Sequence, residues 1–470
     1  DRYEVSAWAN DSADDADYAL NEDDDIITLF DAEGDHELDF TDIDQSEYEF
    51  EASVVDSTAE DTDTINVTEA DEGALDIADS VVQEQGDVAA ITVELDNTDQ
   101  GSLVIGNEED DGYQANVTIE DEEDDEVVVL FNTFTAGTLN NDDVDANDIV
   151  YTEDDDATVT LDSETDLTDI LDTGTYDLAV GPYTNGTADQ RFTDTLDDPD
   201  TISSVSIEER TETSLALWRT GESVQSDVTD ELDDENESAT VSLIEGAIEG
   251  DLVTQTDTLA IDNDGSRSDV LVHQFTASGL EGPLANASGS DLGSVETTTA
   301  FYEYLQTDND AYDENTTLAT SDQDRLELVF ELQNPGANEP TTSVDVNEIA
   351  NDASSASDFA NIFTVVYDDE TDNYYIIADT DNLNDELDSG VQIEDGDEYE
   401  VQINVQDARL LDLLEEDDED DFEGAFLENS ASFTAEEAEG EFDNEDDIQV
   451  EAAEGQSITG TTNVAPGTEI

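Results

Sequence analysis

Apolar and polar residues alternate along several stretches of this 470-residue chain. Successive side chains of a strand point to opposite faces, so one apolar face and one acidic face indicate a half-buried antiparallel strand. The alternation predicts strands at residues 91–95, 113–120 and 326–330. Residues 127–131 are apolar throughout, which is typical of a central strand.

A second pattern links three turns to three strands. Each segment reads Asp-x-x-x-Tyr-x-apolar-x-apolar, at residues 44–52, 172–180 and 395–403. A turn holds the aspartate, and the tyrosine opens a strand with period two. The segments resemble the tyrosine corner of immunoglobulin-like sandwiches, whose tyrosine OH donates to upstream backbone. The alternative is three ordinary strands after acidic turns. We predict an all-β chain of tandem immunoglobulin-like β-sandwich domains.

Helical spacing is confined to the last third of the chain, at residues 295–305, 344–363 and 407–416. The last domain is therefore expected to carry short helical insertions. The strand patterns break near residues 75 and 220, and about three domains suit this length. We predict immunoglobulin-like domains over 1–75 and 76–219, a larger sandwich (or two domains) over 220–450, and the start of a further β-domain over 451–470.

The charge of the chain predicts its solvent. Aspartate and glutamate number 135, arginine seven and lysine none, which gives a net charge of −128. Such a chain repels itself in dilute buffer. It can stay compact where salt screens charges, and the Debye length is about 3 Å at 1 M salt. Multimolar salt is thus the expected medium. Intrinsic disorder is the alternative at this composition, but disordered acidic tails do not alternate as these stretches do.

The same charge excludes several partners. A chain this negative repels phosphate, so binding to nucleic acid or anionic lipid is not expected. No apolar run of 18 residues occurs, so no membrane span is predicted in this segment.

Signs of catalysis are absent from the sequence. There is no cysteine, and the two histidines, His36 and His273, have no neighbour at metal-ligand spacing. Both are expected to be surface or strand residues. No nucleophile elbow, phosphate-binding loop or zinc-protease motif is present. Carboxylate pairs are too numerous to be informative. We therefore predict no enzyme and no catalytic cofactor.

One segment resembles part of a calcium loop. Asp262 and Asp264 precede a glycine, but in EF-hand register the twelfth position is Leu271, where glutamate is required. The segment is not an EF-hand. Carboxylates in turns still suit hard cations, so Ca²⁺ or Mg²⁺ remains a candidate ligand of these two aspartates, with sodium or potassium as alternatives.

Sequons for N-linked glycosylation occur seven times. We expect N-linked glycans on at least some of them, since such sites belong on the exposed surface of exported proteins. Asn116, on the polar face of a predicted strand, and Asn185, in a turn, are the first choices. The sequons are at Asn10, Asn66, Asn116, Asn185, Asn236, Asn286 and Asn315.

Residues 80–134, together with the motifs LDTGTYDLAV, SVSIEERTETSLALW and TGTTNVAPGTEI, resemble haloarchaeal cell-surface glycoproteins of the S-layer type. The resemblance implies an exported, glycosylated, extracellular protein that self-assembles into a lattice on the cell surface. A surface adhesin, a filament subunit or a spike protein of a haloarchaeal virus are the alternatives.

A lattice of such subunits requires attraction between negative chains. Few arginines are available for ion pairs between subunits. We expect apolar contacts and divalent cations, each held by carboxylates of two neighbours. The acidic loops at 121–126, 153–156 and 415–423 are the first places to look.

We predict that the fold is lost at low salt, because unscreened carboxylates raise the free energy of the compact state above that of the expanded chain. Circular dichroism is expected to show β-structure in about 3 M salt, where the Debye length is shortest, and a coil-like spectrum in dilute buffer. A native spectrum in salt-free buffer with chelator would contradict the prediction.

Overall fold

The computed structural model divides the chain into two compact units, residues 1–72 and 73–470. The residues that the structure describes are 18–21, 26–29, 46–53, 58, 60–68, 73–121, 126–140, 144–154, 156–183, 187–233, 237–261, 268–289, 292, 295–309, 324–335, 343–386, 393–413, 426–443 and 456–468. Within these residues, no helix is both long enough and apolar enough to cross a membrane.

The first unit contains two antiparallel hairpins in its described part. Strands β1 (Tyr18–Asn21) and β2 (Ile26–Leu29) form one pair. Strands β3 (Ser46–Ser53) and β4 (Glu60–Val67) form the other, with Tyr48 opposite Ile65.

The second unit begins with a sandwich of two sheets, called the first sandwich. Its smaller sheet has the order β11-β10-β7-β5, and its larger sheet the order β12-β9-β8-β13-β14-β6. Among the pairings that the structure describes in these two sheets, only that of β6 with β14 is parallel. The strands are β5 Ala74–Ile77, β6 Val81–Glu84, β7 Val88–Asp96, β8 Gln100–Gly106, β9 Gln114–Asp121, β10 Glu126–Asn132, β11 Val150–Tyr151, β12 Ala157–Glu164, β13 Gly174–Pro182 and β14 Thr201–Glu208.

One apolar core fills the space between these two sheets, and it consists of the residues that the alternation pointed inward. Ile91, Val93 and Leu95 of β7 are buried, while Glu94 is exposed. The apolar residues of the stretch 113–119 are likewise buried. The half-buried strands predicted at 91–95 and 113–120 are thus confirmed, because an apolar face leaves water when two sheets stack.

Two details of this sandwich test finer expectations. The Tyr176 OH donates to the Asp172 carbonyl oxygen at 2.8 Å, as the tyrosine-corner pattern predicted. The central strand expected at 127–131 is confirmed, since β10 lies between β11 and β7 in its sheet. Val127 and Val129 face the core, whereas Val128 is 38% exposed on the outer face.

The second sandwich follows along the chain and also stacks two sheets around one core. The sheet orders are β16-β15-β18-β22-β21 and β17-β24-β23-β19-β20. Leu326, Leu328 and Phe330 are buried in this core, which confirms the strand predicted at 326–330. The strands are β15 Ser214–Thr220, β16 Thr254–Gln255, β17 Thr258–Ile261, β18 Val270–Thr276, β19 Leu326–Leu332, β20 Ser343–Asp345, β21 Phe363–Asp368, β22 Asn373–Ala378, β23 Glu398–Val405 and β24 Leu427–Glu437. A final pair, β25 (Gly440–Phe442) with β26 (Gly460–Thr462), is antiparallel.

The expectation that helices are confined to the last third is wrong. Three helices lie in the middle of the chain: α1 Ala188–Asp197, α2 Glu222–Asp233 and α3 Glu237–Glu249. In α1 and α2, a narrow stripe of apolar residues lies among many acidic residues, so the sequence pattern did not indicate a helix. In α1 the stripe includes Phe192, which packs on β8 and β13, and in α2 it includes Val224 and Val228, which pack on the sheet of β18 and β22.

The other helices follow the predictions more closely. Residues 295–305 contain α5 (Thr297–Leu305), and 344–363 contain α6 (Val346–Asp352) and α7 (Ala356–Ala360). The segment 407–416 is a hydrogen-bonded turn in its described part, 407–413. Two further short helices are α4 Glu281–Ser288 and α8 Thr380–Glu386.

His273 is a strand residue, as expected, and lies in the core of the second sandwich. Its ring packs edge-on against Phe330 of the opposite sheet, at 5.4 Å between ring centroids. Its Nδ1 lies 3.0 Å from the carbonyl oxygen of Ile376, which requires the proton on Nδ1, and its Nε2 has no hydrogen-bond partner. Burial lowers the pKa of His273 to about 4, because an imidazolium would lose its hydration in this core.

We predict that His273 destabilises the fold in acid. The unfolded chain, in which the pKa is 6.5, binds more protons than the folded chain, so stability falls as the pH drops from about 6.5 to about 4. The full effect is about 3 kcal/mol. For His273→Leu, the free energy of unfolding is expected to change less with pH over this range, as measured by chemical denaturation at constant high salt. Carboxylates titrate in both proteins, so the quantity to compare is the difference between them, and parallel curves would contradict the prediction.

Candidate functional site

The seven arginines are nearly all the fixed positive charge that the chain has, and five of them lie within the described residues. Each of these five donates hydrogen bonds to groups of the same chain. Three are almost fully buried, with 5–6% of their surface exposed. The five are Arg191, Arg210, Arg219, Arg325 and Arg409. These arginines therefore connect parts of the same chain and do not form an exposed basic patch.

Arg191 fastens helix α1 to the first sandwich. Its Nη2 donates to the Thr118 Oγ1 at 2.9 Å and lies 3.5 Å from an Asp162 oxygen. The Tyr183 ring lies over the guanidinium, at 4.3 Å from its centroid. The Thr118 hydroxyl in turn donates to Asp162 at 2.5 Å.

Arg219 fastens the segment near the end of the chain to the second sandwich. Its Nη1 donates to the Asn463 carbonyl at 2.7 Å and to an Asp269 carboxylate oxygen at 3.1 Å. Asp269 also accepts from the backbone N–H groups of Ala260 and Ala465. Burial raises the pKa of Asp269, although these bonds act in the opposite direction. Residues 460–468, part of the segment predicted to start a further domain, thus contact the preceding sandwich.

The two sandwiches of residues 73–470 meet at a junction where side chains of one sandwich form hydrogen bonds with backbone groups of the other. Asp87, in the turn between β6 and β7, accepts from the N–H groups of Gly279 at 2.7 Å and Glu281 at 3.1 Å. In the opposite direction, the Glu281 carboxylate accepts a hydrogen bond from the Val88 N–H at 3.0 Å. Each sandwich thereby supplies one carboxylate to cap amides of the other.

Glycines allow this close approach. A Cβ on Gly86 would lie 2.4 Å from the Gly279 carbonyl oxygen, and one on Gly282 would lie 2.2 Å from the Gly86 oxygen. Gly86 and Gly279 also have φ angles of +103° and +86°, where side chains are strained. The Gly282 N–H donates to the Gly86 carbonyl at 3.0 Å.

Arg409 completes the junction from the turn at 407–413. Its guanidinium donates to three carbonyl oxygens of the first sandwich, those of Phe134 and Thr168 at 2.9 Å and Ala136 at 3.2 Å. Asp407 holds the turn, since one of its oxygens accepts from the N–H groups of Arg409 and Leu410 at 2.9 Å. The Phe134 side chain, 2% exposed, lies in the core of the second sandwich.

The junction has unusual electrostatics. Burial raises the pKa of Asp87 well above its usual range, and the nearby Glu281 raises it further. Arg210 lies close to this carboxylate and donates to Gln85 Oε1 at 2.9 Å. Asp87 is thus a buried carboxyl whose oxygens cap amides, which gives it a structural task. The sequence analysis did not single out these residues. The rarity of arginine was the one signal that could have pointed to Arg409 and Arg210.

Several residues named in the sequence analysis lie outside the described residues. They are Asn10, His36, Asn185, Asn236, Asp262, Asp264, Asn315 and, of the acidic loops, residues 122–125, 155 and 415–423. No group of three or more carboxylates or histidines in the described part is arranged to hold a metal ion.

Three sequons are described, and they differ in exposure. Asn66, on β4, is exposed. Asn116 is half-buried in the interior strand β9, and its Nδ2 donates to the Ser163 Oγ at 3.0 Å. Asn286 is half-buried in α4.

Comparison with known proteins gives relatives along nearly the whole chain. A family model described as a domain of unknown function matches residues 67–182. The chain is 31% identical over 461 residues to the "Cell surface glycoprotein" of Haloferax gibbonsii. The aligned region covers 96% of this chain and 43% of the relative. It is 29% and 30% identical to "Cell surface glycoprotein 2" and "Cell surface glycoprotein 1" of Haloarcula hispanica, over 87% of this chain and 39% of each relative.

The chain thus spans less than half the length of the curated relatives it matches. These matches confirm the resemblance to haloarchaeal cell-surface glycoproteins that the sequence motifs indicated. They also support the expected extracellular location at the cell surface.

We predict that Arg409→Ala weakens the coupling between the two sandwiches. Three carbonyls, two of them in buried hydrogen bonds, would lose a charged donor, at a cost of about 3 kcal/mol. In calorimetry at high salt, we expect the variant to unfold at lower temperature than the wild type, and in a broader or split transition. Arg191→Ala, which removes a buried arginine away from the junction, is the matched control. Equal effects on cooperativity in both variants would contradict a special role of Arg409.

Proposed function

We propose that this relative of haloarchaeal cell-surface glycoproteins is part of an S-layer protein, a structural subunit that self-assembles into the coat of an extremely halophilic archaeon. The role is that of building material and not of a catalyst. The observation that carries the proposal is the use of arginine. All five described arginines bond within the chain, so they hold the subunit together and are not presented to neighbours.

The junction supports this role because a lattice requires subunits of fixed shape. Two sandwiches joined by reciprocal carboxylate–amide bonds, glycine contacts and the Arg409 guanidinium cannot easily bend against each other. Each of these hydrogen bonds acts at contact distance, and one of its two partners is an uncharged backbone group. High salt therefore weakens them little, because ions screen over longer distances.

Attraction between subunits must come from elsewhere. Salt screening removes long-range repulsion but supplies no specific contact. We propose that Ca²⁺ or Mg²⁺ ions bridge carboxylates of neighbouring subunits, since one divalent ion offsets two charges and accepts oxygen ligands from both chains. The acidic loops at 121–126, 153–156 and 415–423 are the proposed sites, with Asp262 and Asp264 as further candidates.

We propose that N-linked glycans cover part of the exterior. Among the described sequons, Asn66 has the most accessible side chain. Asn116 also points away from the core, but the hydroxyl of its sequon residue Thr118 is buried beneath Arg191. Modification there would have to precede the docking of α1. Mass spectrometry of the protein from native cells, digested with a protease that cleaves at acidic residues, is expected to find a glycan on Asn66 more often than on Asn116. Unmodified asparagine at every sequon would contradict the proposal.

Cation bridging predicts the effect of a chelator at constant sodium chloride. Removal of calcium and magnesium is expected to release subunits, while about 3 M sodium chloride keeps each subunit folded by screening. Sedimentation and circular dichroism of the same sample separate release from unfolding. Re-addition of calcium should restore assembly, and matched potassium chloride should not. Assemblies that persist in chelator would show that packing alone holds the coat together.

A further inference from the structure

Three carboxylates meet where the two sandwiches join, and we call them the junction carboxylates. Asp87 is fully buried in the turn between β6 and β7, Glu281 begins helix α4, and Asp372 lies in the turn between β21 and β22. Burial raises the pKa of Asp87, and the charges of Glu281 and Asp372 raise it further. The three groups therefore repel one another in a place that is partly shielded from water.

The described arginines offset only part of this charge. Arg210 lies nearby, where burial lowers the pKa of its guanidinium and Asp87 raises it. Asp407 and Asp412 raise that pKa as well, so the one positive charge of Arg210 is shared among several carboxylates. Arg409 directs its N–H groups at backbone carbonyl oxygens. Because a buried charge is costly unless it is paired or bound to a metal ion, the junction carboxylates need a further positive charge.

Tyr374 supplies a neutral oxygen to the same place. Its side chain is 1% exposed in β22 and stacks on the Tyr367 ring, with 4.5 Å between the ring centroids. Its hydroxyl has no hydrogen-bond partner among the described residues, although burying a hydroxyl without one costs free energy. Burial raises the pKa of this hydroxyl well above its usual range, and Tyr367 and all three junction carboxylates raise it further. The unpartnered oxygen thus lies within reach of the junction's negative charge.

A cation accounts for both features, whereas a water molecule or a proton accounts for only one. A water molecule would bind the Tyr374 hydroxyl but would leave the carboxylates without a counter-charge. A proton would remove one charge. Both oxygens of Asp87, however, accept N–H groups, from Gly279 at 2.7 Å and from Glu281 at 3.1 Å, and such bonds favour the ionised form. Hard cations, by contrast, bind oxygen ligands of this kind.

We propose that an alkali-metal cation, sodium or potassium, binds at the junction of the two sandwiches, with the Tyr374 hydroxyl and oxygens of Asp87 and Glu281 as ligands. The site belongs to the fold of a single subunit, so it does not depend on the coat role proposed above. Salt then stabilises this protein in two ways. Screening depends on ionic strength alone, whereas filling of the site depends on which cation the salt contains.

A monovalent cation suits both the geometry and the medium. No three carboxylates of the described part are arranged to hold a metal ion, so tight binding of a divalent ion is not expected here. Weak binding is sufficient in concentrated salt, because occupancy rises with concentration. At about 3 M cation, a site with a Kd of about 0.3 M is about nine-tenths filled.

The test replaces sodium or potassium stepwise by tetramethylammonium at a constant total of about 3 M chloride, with a chelator present to remove divalent ions. All three cations screen equally, but tetramethylammonium is too large for the site. In sodium or potassium, Tyr374→Phe is expected to lower the folded-to-unfolded ratio about ten-fold, or about 1.4 kcal/mol, in chemical denaturation. This difference from the wild type should shrink as the alkali cation is diluted, because the variant then loses only an unpartnered hydroxyl.

Tyr399→Phe is the matched control, since Tyr399 is also 1% exposed in the core of the second sandwich. Burial raises the pKa of its hydroxyl to about 12, and the carboxylates that raise it further, Asp397 and Glu394, do not belong to the junction. Its difference from the wild type is expected to stay constant as the alkali cation is replaced.

Glu281→Gln is a second variant, which covers the case that Tyr374→Phe does not fold. Glutamine keeps an oxygen for the Val88 N–H but removes one charge. With an ion bound, this variant is expected to be less stable than the wild type in sodium or potassium. Without an ion it would be more stable, because Asp87 would lose a neighbour that repels it.

Three results would overturn the proposal. Tyr374→Phe could equal or exceed the wild type in stability in every mixture, or its loss could be the same in all of them. The stability of the wild type could also fall with rising pH to the same extent in every mixture, which would show that a proton neutralises the junction. The chelator removes the divalent ions proposed to bridge subunits, so a failure of the coat role leaves these comparisons unchanged. Failure of the ion site likewise leaves the coat role standing.

Discussion

Repulsion between carboxylates is the constraint on which the rest of this structure depends. With a net charge of −128, every element must fold against the field of all the others. Screening by concentrated salt removes the long-range part of this field but leaves short-range contacts to be made by the chain itself. The scarce positive charges are placed where elements must be joined. Arg191 joins a helix to a sheet, Arg219 joins a terminal segment to a sandwich, and Arg409 joins one sandwich to the other.

The junction shows how an acidic protein fastens large parts without many ion pairs. Asp87 and Glu281 direct their oxygens at backbone amides, and Arg409 directs its N–H groups at backbone carbonyls. Backbone groups are plentiful and carry no net charge. A carboxylate bonded to an amide is also useful in high salt, because a hydrogen bond acts at contact distance, well inside the range over which ions screen. Acidic residues, which are a liability on the surface at low salt, thus serve as internal caps.

The relation to haloarchaeal cell-surface glycoproteins gives these features a common purpose. A protein outside such a cell is exposed to the salt of its surroundings, and its surface carboxylates are available to cations. The carboxylates that face this salt and those that cap the junction come from the same acidic composition.

The sequence alone determined much of the strand content. Alternation identified the inward-facing residues at 91–95, 113–119 and 326–330, because burial on one side of a sheet imposes a period of two. The spacing of Asp172 and Tyr176 likewise predicted a local hydrogen bond. Such signals are readable because they involve neighbours along the chain.

Tertiary structure decided the rest. Helices α1 and α2 were missed because their apolar stripes are narrow and surrounded by acid, so that only the sheets beneath them reveal which side is buried. The apolar run at 127–131 indicated a central strand, but it did not tell that Val128 is 38% exposed on the outer face while Val127 and Val129 are buried. Asp87 and Glu281 are about 190 residues apart in sequence, and nothing local marks them among 135 carboxylates. Which carboxylates cap a junction and which face the salt depends on contacts between distant segments, and those arise only when the two sandwiches meet.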